Sequence, residues 1–203
     1  MAWKEIAVTI EGTSPLQMNR FTDQAKRGVN KGTSPVTSKK DIDGYDAAHA
    51  HGHWDDKDHP VLPVMNLFNC LIEAGTKIKL GKSKLTTQKS SQLPGMLRLI
   101  GTAFPIIERI ENGNSHRGKH DPARWRPVEF YPANAKGERV LCWRPVFDAW
   151  LIPFTMVIDD EYISVDTARE LVDIAGRWIG LGTMRINHKG IYGAFVVSQW
   201  EPK

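Results

Sequence analysis

The chain has 203 residues, with 27 Lys+Arg against 23 Asp+Glu, a formal net charge of +4. Its 41% hydrophobic and 25% charged content is that of a globular chain and excludes the disordered and fibrous classes. No apolar run approaches the roughly 18 residues of a membrane-spanning helix, and two isolated cysteines, Cys70 and Cys142, fit neither a disulfide framework nor a cysteine zinc site. The start, with Lys4 and Glu5, lacks a leader's apolar stretch, so an intracellular protein with no membrane partner and no cofactor is expected.

Ile6, Val8 and Ile10 alternate and predict a first strand over 4–10, ended by Gly12 and Pro15. The segment 11–60 is rich in Gly, Ser, Thr, Asp and Lys and reads as a long functional insertion. Pro63 opens a helix through Leu67, Phe68, Leu71 and Ile72, stopped at Gly75. Short strands follow over 96–100 and 104–110, then a hairpin of 125–131 and 138–147 around Asn134–Gly137. Residues 149–158 form an apolar strand whose Pro153 predicts an edge or a bulge. Ser164 caps a second helix whose stripe Ala168, Leu171, Val172, Ala175 and Trp178 reads as core, as does Trp150. Residues 192–199 form the last strand. The order strand, helix, strands, strand, helix, strand predicts one α+β domain over 1–203, with a ferredoxin-like (RRM-like) core and long loop insertions.

Charge is segregated along the chain. Residues 20–40, 77–98 and 116–126 are basic, and 41–58 are acidic. Basic blocks in loops rich in small residues suit a phosphate backbone; solvated loops are the plain alternative. Lys26, Arg27, Lys82, Lys84, Arg124 and Arg126 are the candidate contacts from these blocks. Trp125, between Arg124 and Arg126, has the setting of a base-stacking ring with phosphate clamps. Trp54, in a polar loop, is a candidate subunit contact.

The stretch 179–193 holds Gly180, Gly182, Gly190 and Gly193 around Arg185, His188 and Lys189. Backbone N–H groups and the cations Arg185 and Lys189 could meet phosphates there. It follows a helix and precedes a strand, which excludes a dinucleotide fingerprint, and it has no Gly-Lys-Ser/Thr. Hydrophobic-Gly-hydrophobic-Gly with a basic spacer before the last strand resembles the glycine-rich loop of the RAMP superfamily, which includes backbone and processing subunits of CRISPR effector complexes. The stretch from Arg144-Pro145-Val146-Phe147 and Trp150 through Ala175-Gly176-Arg177 to Phe195, and the segment Pro63 to Lys84, are also similar to uncharacterised phage-encoded proteins. The resemblance implies an RRM-like core that grips single-stranded DNA or RNA, a homo-oligomer or filament along the strand, and a finger or thumb from 11–60. It also implies the cytoplasm of a bacterial or phage-infected cell, and it leaves open a protein-interaction module acting on a CRISPR-type complex.

Two enzymatic readings compete. His49, His51 and His53 alternate, so a strand would place them on one face near Asp55, a ligand set for a metal-dependent nuclease. His116, His120 or His188 could serve a metal-free ribonuclease. The expectation is a largely sequence-independent binder of single-stranded nucleic acid rather than an enzyme.

Overall fold

The computed structural model describes residues 3–21, 43–109, 121–131 and 141–203. Lys26, Arg27, His116, His120 and the turn Asn134–Gly137 lie outside them. Along the chain run β1 (Trp3–Gly12), β2 (Leu16–Gln17), α1 (Gly44–Ala50), β3 (Val61–Pro63), α2 (Val64–Ala74), β4 (Lys79–Leu80), β5 (Ser83–Lys84), α3 (Leu93–Met96) and β6 (Leu97–Ile100). Then come β7 (Ala103–Pro105), β8 (Ile107–Glu108), β9 (Arg126–Phe130), β10 (Cys142–Phe147), β11 (Trp150–Asp159), α4 (Val165–Ile174) and β12 (Phe195–Pro202).

Strand alternation dictates the main sheet. Ile6, Val8 and Ile10 of β1 and Ile152, Phe154, Met156 and Ile158 of β11 are buried on one face. The strands stand in the order β12-β1-β11-β6, all antiparallel, with β8 pairing the start of β11. With α2 between β1 and β6, and α4 between β11 and β12, the architecture is α+β and consistent with a ferredoxin-like fold. Leu67, Cys70, Leu71 and Ala74 of α2 and Ala168, Leu171 and Val172 of α4 join the same core. Their i, i+3, i+4 spacing gives each helix one apolar stripe facing the sheet.

Pro153 sits in an interior strand, which corrects the edge expectation. It pairs with Thr9 of β1, while on the far side β8 covers only Trp150 and Leu151, and β6 begins at Thr155. A proline opposite that gap breaks no ladder bond on that side.

The stripe of α4 runs as expected to Ala175, and Ser164 Oγ caps it by accepting from Thr167 N at 3.1 Å. Trp178 is not core: it is 58% exposed. The chain leaves the α-helix at Ile174 and makes a π turn over Ala175–Ile179, whose wider spacing moves Trp178 off the stripe and buries Ile179. Trp150 is fully buried and donates from Nε1 to Ser14 O at 2.9 Å. Both cysteines are free, and burial pushes the Cys70 thiol up to about 12.

A second sheet, β2-β10-β9, stands beside the core. β9 and β10 pair antiparallel, as expected, with Arg144 opposite Val128. Segment 13–18 joins this sheet to the glycine-rich loop: Thr183 N donates to Gln17 O and Gly193 N to Pro15 O, at 2.9 and 2.8 Å.

A candidate nucleic-acid interface

Midway along β1 and β11 the helix-free face carries Ala7, Thr9, Leu151, Pro153, Thr155 and Val157, all half-buried. These side chains supply neither cations nor stacking rings. The charged features lie at the sheet's ends and in the second layer.

Downstream of α2 the chain folds into the two-stranded hairpin β4–β5. Leu85 and Ile78 anchor it in the core, and Leu85 N donates to Ile78 O. Lys77, Lys79, Lys82, Lys84 and Lys89 are all exposed there. None of them forms an ion pair among the described residues, and 77–98 contains no acid. The field of this hairpin is therefore uncompensated locally.

Among the other described candidates the three arginines are partnered. Arg126 forms two hydrogen bonds to Asp148, at 2.7 and 3.0 Å, which raise its pKa. Arg124 stands 3.6 Å from Glu108. Arg185 reaches Glu73 at 3.0 Å, and its Nη2 lies 3.2 Å from His188 Nε2. Lys189 has no ion pair among the described residues and adopts φ +61. Trp125 is half-buried and one face is covered by Tyr45, stacked at 4.3 Å between centroids. Trp54 is likewise taken up within the chain, against His49 and Phe147.

The glycine-rich loop uses much of its own backbone internally. The N–H groups of Leu181, Thr183, Gly190, Tyr192 and Gly193 all reach backbone carbonyls. Those of Gly182, Met184 and Arg185 make no hydrogen bond among the described residues. Gly182 has φ +74, and a Cβ there would strike the Gln17 carbonyl, so only glycine lets the loop lie this close to β2. Met184 also has positive φ, +49, a strained setting for a side chain of its size. The loop walls a cleft of about 270 Å³ with Asn19, His53, Asn66, Thr183, Arg185 and His188 around it.

Arg144 was not among the expected contacts, yet it is the least ordinary cation in the fold. It is only 8% exposed and has no carboxylate partner among the described residues. Its Nη1 donates to Thr183 Oγ1 at 3.3 Å, and its guanidinium lies 5.1 Å from the Phe130 ring centroid. Burial pulls its pKa down. A sequence signal existed: in Cys142-Trp143-Arg144-Pro145-Val146, alternation puts Arg144 on the face of buried Val146.

No strand aligns His49, His51 and His53: His49 lies in α1, His51 caps its end and His53 follows it, with a local cause. Asp43 caps α1 by accepting from Tyr45 N at 2.8 Å, and Ala47, Ala48 and Ala50 favour the helix until Gly52. His49 Nε2 pairs with Asp58 at 2.8 Å, His51 Nδ1 meets Arg20 O at 3.1 Å, and His53 turns to the cleft. Asp55 accepts from His59 N and Lys57 N, which hold its carboxyl below the usual range. Among the described residues no group of three or more His, Cys, Asp or Glu could hold a metal, so the alternative site His49, His51, His53 and Asp55 is not assembled.

Burial, joined by nearby cations, lowers the pKa of His51 and His53. The unfolded chain, with ordinary histidines, then binds more protons than the fold once pH drops below about 6.5. Stability is therefore complete above that pH and falls as pH descends through the lowered folded values. Urea titrations between pH 5 and 8 should show this slope, and His51→Gln with His53→Gln should flatten it.

No family model and no curated protein sequence matches the chain. A solved structure does: a chain in the cryo-EM structure of the Type III-B Cmr-beta bound to cognate target RNA, with a TM-score of 0.53 at 14% identity. The match covers 98% of this chain and 60% of that one, so the present chain spans about three fifths of the length of the chain it matches. Among the described residues no helix is long and apolar enough to cross a membrane. The likeness is one of fold.

Proposed function

We propose that the chain binds single-stranded nucleic acid through its phosphate backbone, with little sequence preference, as a homo-oligomer or a subunit of a nucleoprotein complex. The observation that carries this reading is the hairpin over 77–89. Five exposed lysines stand there without an acid, on a rigid base anchored by Ile78 and Leu85. Such an array costs self-repulsion in the free protein and gains when condensed counterions leave a bound strand. The fold likeness to a chain in an RNA-bound complex supports the same class of ligand. In this reading 11–60 is the finger or thumb that meets the strand or the next subunit. The protein holds the strand without cutting it.

The test is fluorescence anisotropy with labelled single-stranded RNA, single-stranded DNA and duplex DNA, at two salt concentrations with EDTA present. Salt-sensitive binding that favours a single strand, with the probe intact, is the expected result. No binding to any probe would remove the reading, and a cleaved probe would make the protein an enzyme. Reversing Lys82 and Lys84 to Glu should weaken binding about 10–100-fold. Loss of two phosphate contacts should also reduce the salt slope by about 1.4. An unchanged slope would take the hairpin out of the interface.

A further inference from the structure

Among the described residues, the buried side-chain polar atoms without a hydrogen-bond partner are Gln17 Oε1, Arg144 Nε and Arg185 Nε. All three belong to residues gathered around Thr183. Gln17 accepts the Thr183 N–H through its carbonyl at 2.9 Å. Arg144 donates to the Thr183 hydroxyl at 3.3 Å. Arg185 is two residues further along and shares the wall of the cleft with Thr183. In the register of β2 and β10, Gln17 lies opposite Val146, which puts it on the same sheet face as Arg144. Isolated orphan atoms are rare in native folds because each loses its hydration unreplaced. Three around one residue leave the surroundings of Thr183 short of hydrogen-bond partners.

The charge defines the ligand. Glu73 offsets Arg185, so Arg185 brings a donor and no net charge. Arg144, with Cys142 beside it but no carboxylate partner among the described residues, brings a positive charge into a nine-tenths-buried position. The backbone N–H groups of Gly182 and Met184, unbonded among the described residues, add donors on the same loop. The Gln17 amide, turned over, presents its NH2 where Oε1 now stands. The site is rich in donors and carries one excess positive charge, which calls for a compact anion with several acceptor oxygens.

We propose that this is a phosphate site, in which one phosphate seats against Arg144, Arg185 and the Gly182–Arg185 backbone. That the phosphate belongs to a bound strand rests on the strand-binding reading; free inorganic phosphate has the same chemistry. The site then fixes one phosphodiester at a set position, while the exposed lysines of the 77–89 hairpin hold its neighbours.

The experiment is thermal unfolding of the wild-type chain in inorganic phosphate against chloride at matched ionic strength, beside anisotropy with labelled single-stranded RNA. Phosphate should raise Tm in proportion to the logarithm of its concentration above Kd, by about 5–10 °C at a hundredfold excess over Kd. It should also compete with the RNA. Arg144→Gln should abolish the phosphate-dependent shift, and Arg144→Lys, which keeps the charge but loses the fork, should reduce it. No shift in the wild-type chain, or the same shift in Arg144→Gln, overturns the site. If Arg144→Gln does not fold, the wild-type and Arg144→Lys arms decide. RNA binding without a phosphate shift overturns the site and leaves the strand-binding reading standing. A phosphate shift without RNA binding supports the site and makes free phosphate or a small phosphate ester its ligand.

Discussion

Gly193→Ala is expected to destabilise the fold by about 3–5 kcal/mol, measured by urea unfolding. Two costs combine. Gly193 has φ +75, and forcing a residue with a Cβ into that region costs about 1–3 kcal/mol. The Cβ would also press on the Leu181 backbone, striking its carbonyl oxygen and lying 2.6 Å from its nitrogen. That obstacle is backbone, not the far end of a flexible chain, so relief needs the loop itself to move. Moving it strains two hydrogen bonds at once, Leu181 N to Gly193 O and Gly193 N to Pro15 O. Gly81→Ala provides the comparison, since Gly81 has φ +60 but no neighbour within 4 Å of the added carbon. It should lose only about 1 kcal/mol. Gly95→Ala, with open space and no positive φ, should be near neutral. Equal losses at Gly193 and Gly81 would show that the glycine-rich loop is not packed as described.

This loop shows how far the sequence could be read. Its glycines and cations were legible because positive φ and close approach select glycine by chemistry that is local. What the loop touches was not local. Its partner is segment 15–17, more than 160 residues upstream, and nothing in 179–193 names it. The strands and helices of the core were legible for the same reason as the glycines. Ile6, Val8 and Ile10 show the strand period, and Ser164 with Ala168 and Leu171 shows a capped helix.

The departures from the sequence reading have physical causes of three kinds. At His49, His51 and His53 the alternation of one residue type would align the rings only on a strand, and an Asp N-cap with three alanines makes a helix of the segment up to Ala50. At Trp178 the period itself changes. Gly176 packs where a Cβ would strike the Phe195 carbonyl, and the π turn there gives the helical stripe a different end. Arg144 is a third case. An arginine in a strand reads as an outward cation, and its burial depends on a loop some 40 residues later folding over it. The exposed cations could be found from composition. The buried one required the topology.

Arg144→Met should make the ligand-free protein more stable, by about 1–2 kcal/mol or a Tm gain of about 2–6 °C. The sign follows from weighing three effects. Holding a charge nine-tenths buried with no carboxylate costs several kcal/mol even after relaxation. Against that, the substitution loses the contact with the Phe130 ring, about 1 kcal/mol. It also loses the bond to the Thr183 hydroxyl, about 1.5 kcal/mol with a charged donor. A methionine is flexible enough to fill the vacated space between Val128 and Val146 on that face. A strictly structural arginine predicts the reverse sign, because removing it would forfeit contacts and relieve nothing. Chemical denaturation in phosphate-free buffer separates the two, and a loss of 1 kcal/mol or more in Arg144→Met would show that the guanidinium is adequately satisfied inside the fold. A gain would mean that the chain keeps a residue against its own stability, the usual signature of a side chain retained for what it binds.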